Sequence, residues 1–143
     1  MKREPTILII DDNVNLVLGF ARLLRNAAYT VHTAYTAEAG LNAAVLHHPD
    51  AIVVDFRMPL INGVGFLYRL REVPEHRHTP VMIVTGVTVS DEQRSEFCEL
   101  NAVVKLKPIA IKDFLAEIAR MLSAQVRSCA EPMADSGSQL MPS

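Results

Sequence analysis

Four short stretches of this chain are almost wholly apolar, and each stops on a charged or hydroxyl-bearing residue. Thr6-Ile7-Leu8-Ile9-Ile10 runs into Asp11-Asp12, and Ala51-Ile52-Val53-Val54 runs into Asp55. Pro80-Val81-Met82-Ile83-Val84 ends at Thr85, and Ala102-Val103-Val104-Lys105-Leu106 ends at Lys107-Pro108. Runs of this length, rich in β-branched residues, read as strands buried on both faces. Such strands need helices above and below them, which restricts the chain to a parallel α/β sheet. Thr30-Val31-His32-Thr33-Ala34 alternates instead and reads as a fifth strand.

The intervening segments supply the helices. From Asn13 to about Ala28, apolar residues recur at helical spacing (Val17, Phe20, Ala21, Leu24, Ala28), with Arg22 and Arg25 off that face. Thr36 opens a second helix to about His47, with Ala37, Leu41, Ala44 and Val45 inward and Pro49 ending it. Asn62-Gly63 is a turn signal before a third helix to about Glu72, packing on Phe66, Leu67 and Leu70. Pro74 to Thr79 reads as a polar loop. Ser90 and Gln93 form a capping box ahead of a polar fourth helix to about Leu100, expected to be loosely held because only Phe97, Cys98 and Leu100 can bury. The last helix, about Ile111 to Ala124, carries Ile111, Phe114, Leu115, Ile118 and Leu122 on one stripe. Strands and helices in alternation predict a doubly wound, flavodoxin-like sheet of five parallel strands in order 2-1-3-4-5, with a crevice at the switch point between strands one and three.

The chain has 143 residues, half of them apolar, which suits one domain with a core that needs no disulfide or metal staple. The predicted domain covers residues 1–124; residues 125–143, without periodicity, read as a disordered tail. A net charge of −2 and the lack of a basic stripe argue against nucleic-acid binding. The first apolar run is too short for a signal segment or a membrane span, so the expected location is cytoplasmic. Cys98 and Cys129 lack a CxxC spacing and read as free thiols. His76 and His78 flank Arg77 without a carboxylate partner and read as solvated. His47-His48 ends a helix, where positive charge is favourable. Val87 and Val89 fall in a loop expected to be exposed.

In this architecture the carboxyl ends of the strands share one edge, so Asp11, Asp12, Asp55, Thr85 and Lys107 converge there. Grouped carboxylates repel unless a cation sits among them. Oxygen ligands suit Mg²⁺, which takes one or two carboxylates together with phosphate oxygens. Lys107 offers a point charge and Thr85 a hydroxyl, the positioning and neutralisation that phosphoryl transfer asks for. An Asp can itself be the nucleophile, giving an aspartyl phosphate. Taken singly, each has a plainer reading: Asp11-Asp12 as a helix cap, Asp55 and Lys107-Pro108 as turns, Thr85 as an ordinary strand end.

The set Asp11-Asp12, Asp55-Phe56-Arg57-Met58-Pro59 with Gly63, Thr85-Gly86 and Lys107-Pro108 resembles the response-regulator receiver domain of two-component signalling, over about residues 5 to 124. The resemblance implies that Asp55 accepts a phosphoryl group from a histidine kinase or a histidine phosphotransfer protein. It implies that Asp11, Asp12, Asp55 and the backbone carbonyl of Arg57 hold Mg²⁺, that Thr85 turns toward the phosphoryl group, and that Lys107 pairs with it. A cis peptide before Pro108 is implied as well. The domain would be a phosphoacceptor switch rather than an enzyme, acting on an unidentified output protein, with a phosphorylation-dependent homodimer as one assembly to test.

The sequence departs from the family at three positions. Val104 stands where an aromatic residue is usual, Lys105 where an apolar one is usual, and Gly86 where Ala is frequent. Without the aromatic, the expected route of the signal is Gly86 to Leu100. A stand-alone receiver and a receiver excised from a longer transcription regulator or hybrid kinase both fit. A haloacid-dehalogenase-type phosphatase would need D-x-D-x-[TV] after the first strand, which Asp11-Asp12-Asn13-Val14 does not supply.

Overall fold

The computed structural model describes residues 4–55, 63–86 and 88–123, apart from the side chains of Asp55, Gly63 and Val64. The elements are β1 (Thr6–Ile10), α1 (Val14–Asn26), β2 (Thr30–Ala34), α2 (Ala37–His47), β3 (Ala51–Asp55), α3 (Gly63–Arg71), β4 (Val81–Thr85), α4 (Asp91–Glu99), β5 (Ala102–Leu106) and α5 (Ile111–Ser123). The strands are parallel and lie in the expected order, β2-β1-β3-β4-β5. The tail at 125–143, Arg57 and Val87 lie outside the described residues.

Strand alternation divides the interior into two cores. Ile7, Ile9, Val53, Met82 and Val84 face one side and pack with Val17, Ala21 and Leu24 of α1 and Phe114, Ile118 and Met121 of α5. Leu8, Ile10, Ile52, Val54, Val81 and Ile83 face the other, with Ala37 and Ala44 of α2, Phe66, Leu67 and Leu70 of α3, and Phe97 of α4. The two cores account for the unbroken apolar runs of β1, β3 and β4.

Several details differ from the expectations above. Val45 is exposed, and the inward face of α2 is completed by Gly40, which lies so close to Ile10 that an added Cβ would meet its Cδ1 at 2.4 Å. Ile111 is exposed, while Met121 and Glu117 take inward places on α5. Ala28 is exposed beyond the end of α1, where the chain turns with φ 73°. Val89 is buried in the second core rather than exposed, because it packs with the Phe97 side of α4. The expected loop at Pro74 is a 3-10 turn, Pro74–His76, started by a proline that has no N–H to satisfy. Cys98 is disulfide-bonded, which corrects its free-thiol reading; spacing along the chain carries no information about that contact, and Cys129 lies outside the described residues.

α4 has the capping box read from its sequence, with both Ser90 and Gln93 bonds formed. Phe97 is its one fully buried apolar residue among those described. Two polar ties add to it. Tyr68 donates to Glu96 at 2.7 Å, and Arg71 on α3 reaches the carbonyls of Leu100, Asn101 and His76.

Candidate functional site

β1 and β3 are neighbours, and Ile10 is level with Val54 in their register. Residues 11 and 55 therefore leave the sheet side by side, at its switch point. Asp11 is buried, with 4% of its surface exposed, and its carboxylate accepts the Asn13 N–H at 3.0 Å. Asp12 beside it is exposed. Neither aspartate caps α1: that role belongs to Asn13, whose side chain accepts the Leu16 N–H at 3.1 Å. The capping alternative for the strand-end pair is thus removed.

On the other flank, Asp55 is level with Val84, so Thr85 lies one residue further along the adjacent strand. Thr85 is completely buried, and its carbonyl accepts the Lys107 N–H at 2.7 Å. Lys107 is half-buried, and the Lys107–Pro108 peptide is cis, as the resemblance implied. Residues 11, 12, 55, 85 and 107 thus reach one edge of the sheet from four strands. The Arg57 carbonyl and the Asp55 side chain fall outside what is described.

The departures have structural settings. Thr85 shares the face of Val81 and Ile83, which is the α4 side, and Val104, level with Ile83, shares it too. Lys105 points the opposite way and finds Glu117 of α5, with Nζ 3.2 Å from Oε1. Arg120 holds the other Glu117 oxygen, its Nε at 2.9 Å. Burial alone would push the Glu117 carboxyl up, but Arg120 and then Lys105 hold it below its ordinary value. The unusual Lys105 is therefore half of a cross-layer ion pair. Glu117 could have been found in the sequence, since it lies at i+3 from Phe114 on the inward stripe.

Arg71 gave no such signal, being one of two arginines closing α3. His76 was read as solvated, yet it is buried at 2% exposure. Its Nδ1 is 2.8 Å from Thr79 Oγ1 and its Nε2 is 2.8 Å from the Ala44 carbonyl. The 3-10 turn, not visible as a periodicity, carries that ring inward.

Comparison with known proteins gives a consistent answer. Residues 7–119 match the family model "Response regulator receiver domain". The response regulator ArlR of Staphylococcus aureus is 29% identical over 119 residues, covering 83% of this chain and 53% of that protein. The chain thus spans about half the length of the curated relatives it matches. Among solved structures, the chemotaxis response regulator CheY4 of Vibrio cholerae is 27% identical with a TM-score of 0.76, covering 83% of this chain and 99% of that one. The HemR receiver domain of Leptospira biflexa is 26% identical with a TM-score of 0.75, covering 84% and 95%. No helix among the described residues is long and apolar enough to cross a membrane. With the predicted strand order and the strand-end set in place, this chain belongs to the response regulator receiver domain family.

Proposed function

We propose that Asp55 is the phosphoacceptor of this receiver domain, and that a histidine kinase or histidine phosphotransfer protein is the donor. The observation that supports this most is the strand register, which brings residues 11 and 55 together at the switch point. In the transfer, an Asp55 carboxylate oxygen bonds to phosphorus while the donor's P–N bond breaks and its imidazole leaves. The product is an acyl phosphate on Asp55.

The donor set fits Mg²⁺: carboxylate oxygens on adjacent strands, one of them on the buried Asp11, with no nitrogen or sulfur among them. Asp11, Asp12, Asp55 and the Arg57 carbonyl would hold the ion, which when bound neutralises phosphoryl oxygens. Lys107 neutralises a further oxygen, and the Thr85 hydroxyl donates to another. The half-buried setting of Lys107 keeps its charge less screened than a surface lysine's. The output is a change in the surface offered to a partner protein.

The test is incubation with acetyl phosphate or phosphoramidate, with and without Mg²⁺, read by intact mass. A gain of one phosphoryl group is expected, lost in Asp55→Asn and in EDTA. A gain that survives either change sinks the assignment.

A further inference from the structure

The strand order leaves β5 as an edge, with α4 on one face of the sheet and α5 on the other. The outward N–H and C=O groups of an edge strand invite pairing with another chain unless something covers them. α4 passes through Leu100 and Asn101 straight into β5, so its last turn lies at the amino end of that strand. The turn is anchored. Phe97 is fully buried, Arg71 binds the Leu100 and Asn101 carbonyls, and the Asn101 N–H bonds the Cys98 carbonyl at 3.0 Å. Cys98 is half-buried there and disulfide-bonded. α5 starts beyond the carboxyl end of β5, and its 13 residues run about 20 Å, longer than the ~17 Å of a five-residue strand. Ser123 therefore returns to the amino end as well.

We infer that Cys98 pairs with Cys129, and that this bond straps the chain after α5 across the β5 edge as a redox-sensitive cover. The sequence holds two cysteines, so Cys129 is the partner that a single chain can supply. It lies six residues beyond Ser123, and six extended residues span at most about 20 Å. The disulfide itself adds about 5.5 Å between Cα atoms. Helices on opposite faces of a sheet have axes on the order of 20 Å apart. The tether is long enough to pass the edge and has little slack. In the oxidised form it confines residues 124–128 beside Ala102 and Val103.

In a reducing compartment such a bond opens and closes with the redox poise instead of acting as a permanent staple. The oxidant is a low-molecular-weight disulfide such as oxidised glutathione. One cysteine thiolate attacks it, forming a mixed disulfide and releasing one glutathione thiolate. The second cysteine thiolate attacks the protein sulfur of that mixed disulfide and releases the other. The two thiol protons end on the two glutathiones formed, and two electrons pass from the protein to the oxidant. Excess reduced glutathione runs both steps backward. Closed, the strap covers the edge between α4 and α5; open, it leaves that edge to a partner. The device needs no phosphoryl group on Asp55, so its test stands apart from that assignment.

The test uses the full chain, unphosphorylated, equilibrated with oxidised or reduced glutathione. With oxidised glutathione the monomer should take up no N-ethylmaleimide, and its non-reducing tryptic map should join residues 95–105 to 128–143. With excess reduced glutathione it should take up two maleimides, one on each cysteine. Amide exchange from Cys98 to Val103 should speed about threefold or more on reduction, with β1 unchanged. Cys129→Ser, which changes no described residue, should exchange like the reduced protein under both conditions. Four results overturn the inference: a bond between two chains, cysteines that stay free or carry glutathione in the oxidising buffer, a bond that survives excess reduced glutathione, or exchange at Cys98 to Val103 that ignores reduction.

Discussion

Arg71→Met should be the most damaging single change outside the apolar cores. The guanidinium makes four hydrogen bonds to three carbonyls: Nε and Nη2 to Leu100 at 2.9 and 2.6 Å, Nη1 to His76 at 2.7 Å, and Nη2 to Asn101 at 3.3 Å. Burial pushes its pKa down to about 10, so it stays charged at neutral pH. Hydrogen bonds to charged groups contribute about 1.5–3 kcal/mol each where one partner is lost in a buried setting. Here the carbonyls are part-buried and regain some water, and the Met stem keeps the apolar contact of the Arg stem. The net loss should therefore be about 3 kcal/mol rather than the sum. For a domain of this size that lowers Tm by roughly 10 °C. Urea unfolding should show the midpoint falling with an unchanged slope. Arg71→Lys should fall between, because a point charge can reach one carbonyl but not fork across three. Amide exchange at Leu100 and Asn101 should accelerate more than exchange in β1. An Arg71→Met protein within about 0.5 kcal/mol of the parent, the usual scatter of surface changes, would refute the reasoning.

Three other outcomes follow from the packing and the site. Gly40→Ala should destabilise by about 1 kcal/mol, because the 2.4 Å approach to Ile10 Cδ1 outweighs the helix propensity gained; adding Ile10→Val should recover part of the loss, and no recovery would place the strain elsewhere. Glu117→Gln should lower stability at pH 7. The folded carboxyl is held below its ordinary value, so its contribution is present above the unfolded pKa and is lost as pH falls through the folded one. The gap between the two proteins in chemical denaturation should close below roughly pH 4, and a constant gap would contradict this. With beryllofluoride and Mg²⁺, amide shifts should move over Gly86 to Leu100 while Val104 keeps its rotamer, since a β-branched chain is stiff at χ1. The largest change falling on Val104 and β5 would reverse that expectation.

The sequence by itself determined the sheet. Unbroken apolar runs at β1, β3 and β4 required two covered faces, alternation with helices required parallel crossovers, and the residue ending each run was bound to reach one edge. Asp11, Thr85 and Lys107 could be located because they occupy fixed positions relative to those run ends. Tertiary structure alone decided contacts between segments distant in the chain. Lys105 looked out of place until α5 brought Glu117 beneath it. His76 looked like a solvated loop residue until a turn of one 3-10 helix set it against Ala44, and His48 joined Glu75 from another connection. Arg71 became a hub only when the carbonyl end of α4 came within reach of α3. Periodicity reports which face of an element is buried, because burial repeats with the element. Which polar partner waits on that face is set by the docking of a second element, and no local pattern encodes it.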